Sequence, residues 1–254
     1  MSFSSSDPDI LTRTDGSLLF VQIHRPVKKN ALTPGMYTAL GEALRYADSD
    51  DSINVIVIRG TDDCFTSGND VNSFVSGADE PGERPSLGFM KAISQAQKPV
   101  VAAVSGPAIG IGTTMLLHCD LVYASEQSYF QLPFSRLGVC PELGSSLLLP
   151  YFLGHQRAAE LLLLGDRFSA ETARAYGLIN NVLPSEETLQ FATDKARELA
   201  SLPNHALQVS KRLMKRNLEN VLPDTINLEL KEFGKLLRTP EAQTIIEAFL
   251  NRKK

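Results

Sequence analysis

The chain has 254 residues, 43% of them apolar, and sets 25 Lys and Arg against 29 Asp and Glu for a net charge of -4. That length suits one large domain, or a domain with a helical appendage, around a sizeable core. The charge balance leaves no basic excess for nucleic acid, no apolar run is long enough to span a bilayer, and Cys64, Cys119 and Cys140 show no metal-like pairing, so reduced thiols are expected.

In chain order, Met1 to Asp9 is rich in Ser and Asp and has neither the positive start nor the apolar stretch of a secretory signal. Leu18 to His24, Ile53 to Arg59 and Pro99 to Ser105 are short runs rich in β-branched residues and bounded by turn residues, which predicts buried strands. Thr33-Pro34 supplies an N-cap and a first helical residue, so a helix is expected from there to about Tyr46. A mobile loop is expected over Val75 to Pro85 and a second helix over Ser86 to Ala96. The alternation of strand and helix predicts an α/β core with crossover connections.

After the apolar stretch Thr113 to His118, Leu121 to Ala124 reads as a further strand, and from Gln156 onwards helical patterns dominate. Ser169, Ser185 and Thr239 stand where N-caps are expected, with Pro240 following Thr239 at the first helical position. In the last third, Leu207, Leu213, Met214, Ile245, Ile246, Phe249 and Leu250 form apolar stripes that need a partner surface. The partner is either the chain's own core or another copy.

Chemistry concentrates between Phe65 and Ser146. Two glycine turns, Phe65-Thr66-Ser67-Gly68-Asn69-Asp70 and Ser105-Gly106-Pro107-Ala108-Ile109-Gly110-Ile111-Gly112, each follow a predicted strand. Glycine tolerates positive φ and lets a ligand approach the main chain, so two such turns can aim backbone N–H groups at one oxygen. Glu142 follows in the nearly uncharged run Val139 to Leu149, where burial raises a carboxyl towards the range of a general base.

Other motifs point away from rival chemistries. Gly110-Ile111-Gly112 resembles the start of a dinucleotide fingerprint, but Met115 stands in place of the third glycine and the motif lies mid-chain. Asp70 and Asp120 read as turn or cap residues, and His24, His118, His155 and His205 as structural, since none has metal-ligand spacing. No serine-hydrolase elbow, zincin motif or Walker sequence is present.

Several of these segments together resemble the crotonase (enoyl-CoA hydratase/isomerase) superfamily. They are Arg25-Pro26 with Asn30-Ala31-Leu32, Phe65-x-Ser67-Gly68-x-Asp70, Lys98-Pro99-Val100 through Gly110, Cys119-Asp120, and Phe130-x-x-Pro133 with Gly138. The resemblance runs from about residue 10 to the end of the chain. It implies a spiral of ββα units over residues 1–196, a helical trimerisation region over 197–254, and a CoA thioester whose carbonyl sits between the N–H groups of Asn69 and Ile111. Lys28 or Lys29, Asn30, Ala31, Leu32, Ser67, Gly68, Val71 and Gly110 would line the CoA site.

In this resemblance the two hydratase glutamates fall on Thr114 and Phe134, while Glu142 matches the single glutamate of the peroxisomal-type Δ3,Δ2-enoyl-CoA isomerases. The implied enzyme is such an isomerase, with no metal or redox cofactor, acyl-CoA as its partner, a homotrimer or a dimer of trimers, and a cytoplasmic setting by default. The rival readings are hydration or thioester hydrolysis on the same scaffold, or an acyl-CoA-binding protein without turnover.

Overall fold

A computed structural model describes residues 3–71 and 85–251 of the chain. The loop expected over Val75 to Pro85 lies, except for Pro85, outside the described residues.

Six strands form the main sheet: β1 Ile10–Asp15, β2 Leu18–Ile23, β3 Val55–Arg59, β4 Val100–Val104, β6 Leu121–Ser125 and β9 Asn181–Leu183, side by side in that order. β1 and β2 make an antiparallel hairpin that turns at Gly16 (φ +58°), and every later pairing in this sheet is parallel. A smaller sheet joins β5 Pro107–Ile109, β7 Tyr129–Gln131 and β8 Arg167–Ser169. The central strands read as unbroken apolar runs because both sheet faces are covered. Leu19, Val21, Ile56, Ile58, Ala102 and Val104 face the main core, while Leu18, Phe20, Val55, Val57, Val101 and Ala103 face Ala192 and Ala196 of a covering helix.

The helices are α1 Pro34–Ser49, α2 Pro85–Gln95, α3 Ile111–Thr114 (continuing as a 3-10 turn over Met115–His118), α4 Ser145–Leu153 and α5 His155–Ala159, which runs into a π turn over Glu160–Leu164. Then come α6 Ala170–Ala175, α7 Thr188–Ala200, α8 Asn204–Lys215, α9 Val221–Leu237 and α10 Pro240–Asn251. Thr33 caps α1 by accepting from the Met36 N–H at 3.2 Å, a bond worth about 1 kcal/mol in typical helices. Ser169 caps α6 through the Thr172 N–H in the same way, and the Thr239 hydroxyl accepts from the Ala242 N–H of α10. Ser185 does not act as a cap: α7 starts three residues later, with Glu187 in the cap position. The helical reading of the region after Gln156 also missed β8 and β9, three-residue strands too short to impose a period of two.

The C-terminal helices close onto the sheet-and-helix core. Leu222, Ile226 and Phe233 of α9 belong to the main core cluster, and a Cβ on Gly138 would lie 3.0 Å from the Cα of Ala242 in α10. The buried Lys211 of α8 donates to the Lys98 carbonyl at 2.8 Å and to Asp120 at 2.6 Å, while Asp120 also accepts from the Val100 N–H. Asp120, read from sequence as a turn or cap residue, is a joint between α8 and the start of β4. The boundary expected at residue 196 falls inside α7.

Candidate active site

The two glycine turns lie against each other. Thr66 pairs with Ala108 in a parallel bridge: the Thr66 N–H donates to the Pro107 carbonyl and the Ile109 N–H to the Thr66 carbonyl, each at 3.0 Å. Gly68 (φ +91°) has no room for a side chain, since a Cβ there would sit 2.8 Å from the Ile109 carbonyl oxygen. Gly110 takes φ 56°, ψ -117°, a backbone geometry reserved for glycine, and its own N–H is taken by the Gln131 carbonyl. The next N–H, that of Ile111, opens α3 and has no hydrogen-bond partner among the described residues, and neither has the N–H of Asn69 after Gly68. Each turn thus leaves a free donor just beyond its glycine.

Glu142 is 3% exposed. Its Oε1 accepts from the Thr114 hydroxyl at 2.9 Å, and that hydroxyl lies 3.4 Å from the Ile111 carbonyl oxygen, which ties the carboxyl to the second turn. Burial pushes the Glu142 carboxyl up to about 8; the Thr114 hydrogen bond opposes the rise and the charge of Glu229 adds to it. On the other side, the buried Tyr37 of α1 donates its hydroxyl to Asn69 Oδ1. Its phenol is raised well above its ordinary value, first by burial and then by the charge of Glu142, so Tyr37 links the first turn to the neighbourhood of the carboxyl.

The backbone that presents Glu142 is bent and braced. Leu143 sits at φ +57°, unusual for a bulky residue, and its carbonyl accepts from His118 Nε2 at 2.9 Å. That bond requires the proton on Nε2, and burial lowers the His118 imidazole to about 4, so it is neutral at physiological pH. The Glu142 carbonyl accepts from both the N–H and the hydroxyl of Ser145, at 3.1 and 2.7 Å.

The segment from Arg25 to Leu32 is pinned along the first turn. Ser67 N–H donates to the Lys29 carbonyl, Leu32 N–H to the Gly68 carbonyl and Asp70 N–H to the Leu32 carbonyl. Along it Lys28 and Lys29 are exposed, and Ala31, Ser67 and Val71 are half-buried. Asp70 pairs with Arg25 at 2.8 Å.

Two residues expected to line the CoA site have other work for their side chains. Asn30 is wholly buried, and its amide donates to the Cys64 carbonyl at 2.6 Å while its Oδ1 accepts from the Arg25 N–H. It follows Lys29 (φ 49°) in a left-handed turn (φ 56°), a conformation that Asn tolerates better than most residues. The Leu32 side chain is fully enclosed in the core.

Tyr37, His118 and Glu229 were not foreseen as part of this site. Tyr37 and His118 carry no signal beyond that of core residues. Glu229 does carry one: Leu222, Ile226, Glu229 and Phe233 share one buried stripe of α9, and an acid on an apolar stripe needs partners. Among the described residues no group of three or more His, Cys, Asp or Glu is placed to hold a metal ion.

A buried carboxyl beside two glycine turns with free N–H groups is the outline of a site for moving protons next to a polarised carbonyl. The chain belongs to the enoyl-CoA hydratase/isomerase family, whose model matches residues 13–254. It is 34% identical to enoyl-CoA delta isomerase 2 of Rattus norvegicus over 96% of this chain, though it spans 64% of that relative's length. Among solved structures it resembles OdaA of Pseudomonas aeruginosa, with 45% identity, a TM-score of 0.93 and coverage of 96% of this chain and 99% of that one. An enoyl-CoA hydratase/isomerase of Pseudoalteromonas atlantica T6c is similar too, at 35% identity and a TM-score of 0.93 over 96% and 97% of the two chains. Relatives named as hydratases match as well. The fold is therefore that of the crotonase superfamily, and the α/β expectation holds.

Proposed function

We propose that this chain is a Δ3,Δ2-enoyl-CoA isomerase. A 3-enoyl-CoA binds with its thioester oxygen between the N–H groups of Asn69 and Ile111. Glu142, ionised, takes a proton from C2. The C2–H electron pair becomes the C1–C2 double bond of a dienolate as the carbonyl pair moves onto the thioester oxygen. Glu142 then gives the proton to C4: the C3–C4 pair forms the new C4–H bond, the C1–C2 pair becomes the C2–C3 double bond and the carbonyl re-forms. No atom is gained or lost. Each donor to the thioester oxygen contributes about 3 kcal/mol or more in comparable oxyanion holes, which brings the C2 proton within reach of a carboxylate. Lys28 and Lys29, beside the first turn, face the phosphates of CoA in this reading.

The observation that carries the proposal is the identity of the side chain touching Glu142. Hydration needs one group to activate water and another to protonate carbon, whereas a proton shift from C2 to C4 needs one group that does both. Thr114 is the hydrogen-bond partner of Glu142, Phe134 is buried in the core, and the neighbouring Glu229 is occupied by three hydrogen bonds. Of Glu142 and Glu229, the two buried glutamates among the described residues, Glu142 is left for chemistry.

We further propose a trimer-based assembly acting in the cytoplasm. Exposed apolar side chains at Leu202, Leu213, Met214, Val221 and Leu228 support a subunit contact, which light scattering at micromolar concentration tests. The function is tested by following formation of the conjugated thioester from 3-enoyl-CoAs of several chain lengths. Isomerisation faster than hydration of the matching 2-enoyl-CoA supports the proposal. A faster hydration refutes it.

A further inference from the structure

We propose that Glu229, on α9, is a positioning residue for Glu142: its carboxylate clamps the turn that presents the base, so the C-terminal helices set the geometry of proton transfer. This rests on the isomerase reading. Glu229 Oε2 accepts from the Gly144 N–H at 2.6 Å, and Oε1 accepts from the N–H and the hydroxyl of Ser146 at 2.9 and 2.5 Å. These donors lie two and four residues beyond Glu142, at the opening of α4.

A helix start ordinarily has its orphan N–H groups met by a nearby Ser, Thr, Asp or Asn. Here the cap position is Gly144 at φ +71°, which has no side chain to offer. Glu229 supplies the acceptor from 85 residues away. The fit is close, since a Cβ on Gly144 would lie 2.3 Å from Leu222 Cδ1 of the same helix α9. Between the clamp and the base stands only Leu143, held at φ +57° with its carbonyl fixed by His118. A positive-φ residue fixed on both sides has little freedom to let the two ends move independently, so a shift of α9 becomes a shift of Glu142.

The same carboxylate acts on Glu142 through its charge, raising it. The other groups coupled to Glu142 are Tyr37 from α1 and Cys140 from its own segment, and His118, on the adjacent Leu143 carbonyl, is neutral at physiological pH. Burial raises the Glu229 carboxyl, and the hydrogen bonds from Ser146 and Gly144 oppose that rise by favouring its charged form.

The test is Glu229→Gln in the full chain, which keeps the shape, removes the charge and turns an NH2 towards at least one N–H donor. kcat should fall at least about tenfold, with KM for the 3-enoyl-CoA changed less than about twofold, because the base is misplaced and not the CoA site. The midpoint of the rising limb of the pH profile should move down by about half a unit or more as the neighbouring charge disappears. A cap with a purely structural role would lower the melting temperature and leave kcat per folded molecule and the pH midpoint as they were, which would overturn the proposal. Ser146→Ala, which removes one bond at an exposed side chain and keeps the charge, should lower kcat with KM little changed, but less, and without the downward shift of the pH midpoint; if Glu229→Gln does not fold, an unchanged kcat per folded molecule in this variant overturns the proposal. Titration of Glu142 by 13C NMR of labelled glutamate, assigned with Glu142→Gln, needs no turnover. A Glu142 midpoint that shifts in Glu229→Gln while the unmodified protein isomerises nothing would sink the isomerase reading and keep the clamp. Turnover in the unmodified protein with no change in Glu229→Gln would do the reverse.

Discussion

The Thr114 hydroxyl donates to Oε1 of Glu142 across 2.9 Å, with both side chains closed off from solvent. This contact joins the helix after the second glycine turn to the buried carboxyl of the candidate site. It also opposes the effect of burial, which otherwise drives the carboxyl towards its neutral form.

Replacing Thr114 by Val removes a donor that favours the ionised carboxyl. The pH at which turnover is half-maximal should rise by about one unit, with little change in CoA-ester affinity. A kcat profile against pH in the two proteins reads this directly. Thr114→Glu should not create a hydratase, because a second buried carboxyl pushes Glu142 further up and provides no oriented water. Hydration of 2-enoyl-CoA should stay far below the original isomerisation rate.

Glu142 also makes stability depend on pH. Its carboxyl lies near 8 in the folded chain against 4.5 in the unfolded one, so between these values the native state binds the extra proton. Native stability therefore falls as pH rises from about 4.5 to 8. Glu142→Gln is free of this loss, so its advantage over the unmodified protein should grow by about 3 kcal/mol between pH 5 and pH 8. Urea unfolding at the two pH values measures the difference; equal gaps at both would contradict it.

His118 works with the opposite sign. Its imidazole is lowered from 6.5 to about 4, so the unfolded chain binds the extra proton in that window and stability is lost as pH falls through it. His118→Ala strips the Leu143 carbonyl of its donor, at a cost of about 1–3 kcal/mol at neutral pH. That cost should shrink by about 2–3 kcal/mol on going from pH 7 to pH 4, because the variant lacks the buried imidazole that resists protonation. Denaturant curves at both pH values check the sign.

Gly68→Ala places a Cβ 2.8 Å from the Ile109 carbonyl oxygen at φ +91°. Strain of this kind costs about 1–3 kcal/mol and is relieved by separating the two turns, so stability and turnover should fall together. Loss of stability with unchanged turnover would mean that the two free N–H groups do not act at one point.

Much of the fold was readable from local signals. The runs 18–24, 53–59 and 99–105 contain the strands Leu18–Ile23, Val55–Arg59 and Val100–Val104 because their apolar side chains cover two buried faces, and the Thr33-Pro34 and Thr239-Pro240 pairs mark helix starts by chemistry alone. Three-residue strands such as β8 left no pattern, since Phe168 is buried between two exposed neighbours. At the site, the glycine turns and Glu142 stand out as sequence, because positive φ and an isolated acid are local properties. Tyr37 does not, because its role arises from its contact with Asn69, 32 residues away, while Glu229 shows only as an acid on an apolar stripe and its partner Gly144 lies 85 residues away. The side-chain contacts of Asn30 were equally hidden: its amide is drawn inward by carbonyls beyond residue 60.

The central claim is that one carboxyl, Glu142, carries the proton from C2 to C4. The direct test compares the unmodified chain with Glu142→Gln on one 3-enoyl-CoA and its 2-enoyl counterpart, measuring isomerisation, hydration and CoA-ester binding on the same preparations. The account predicts rapid isomerisation and negligible hydration in the unmodified chain, and in the variant a loss of isomerisation of at least about a thousandfold with binding nearly unchanged. Near-normal isomerisation by Glu142→Gln, or hydration equal to isomerisation in the unmodified chain, would contradict it.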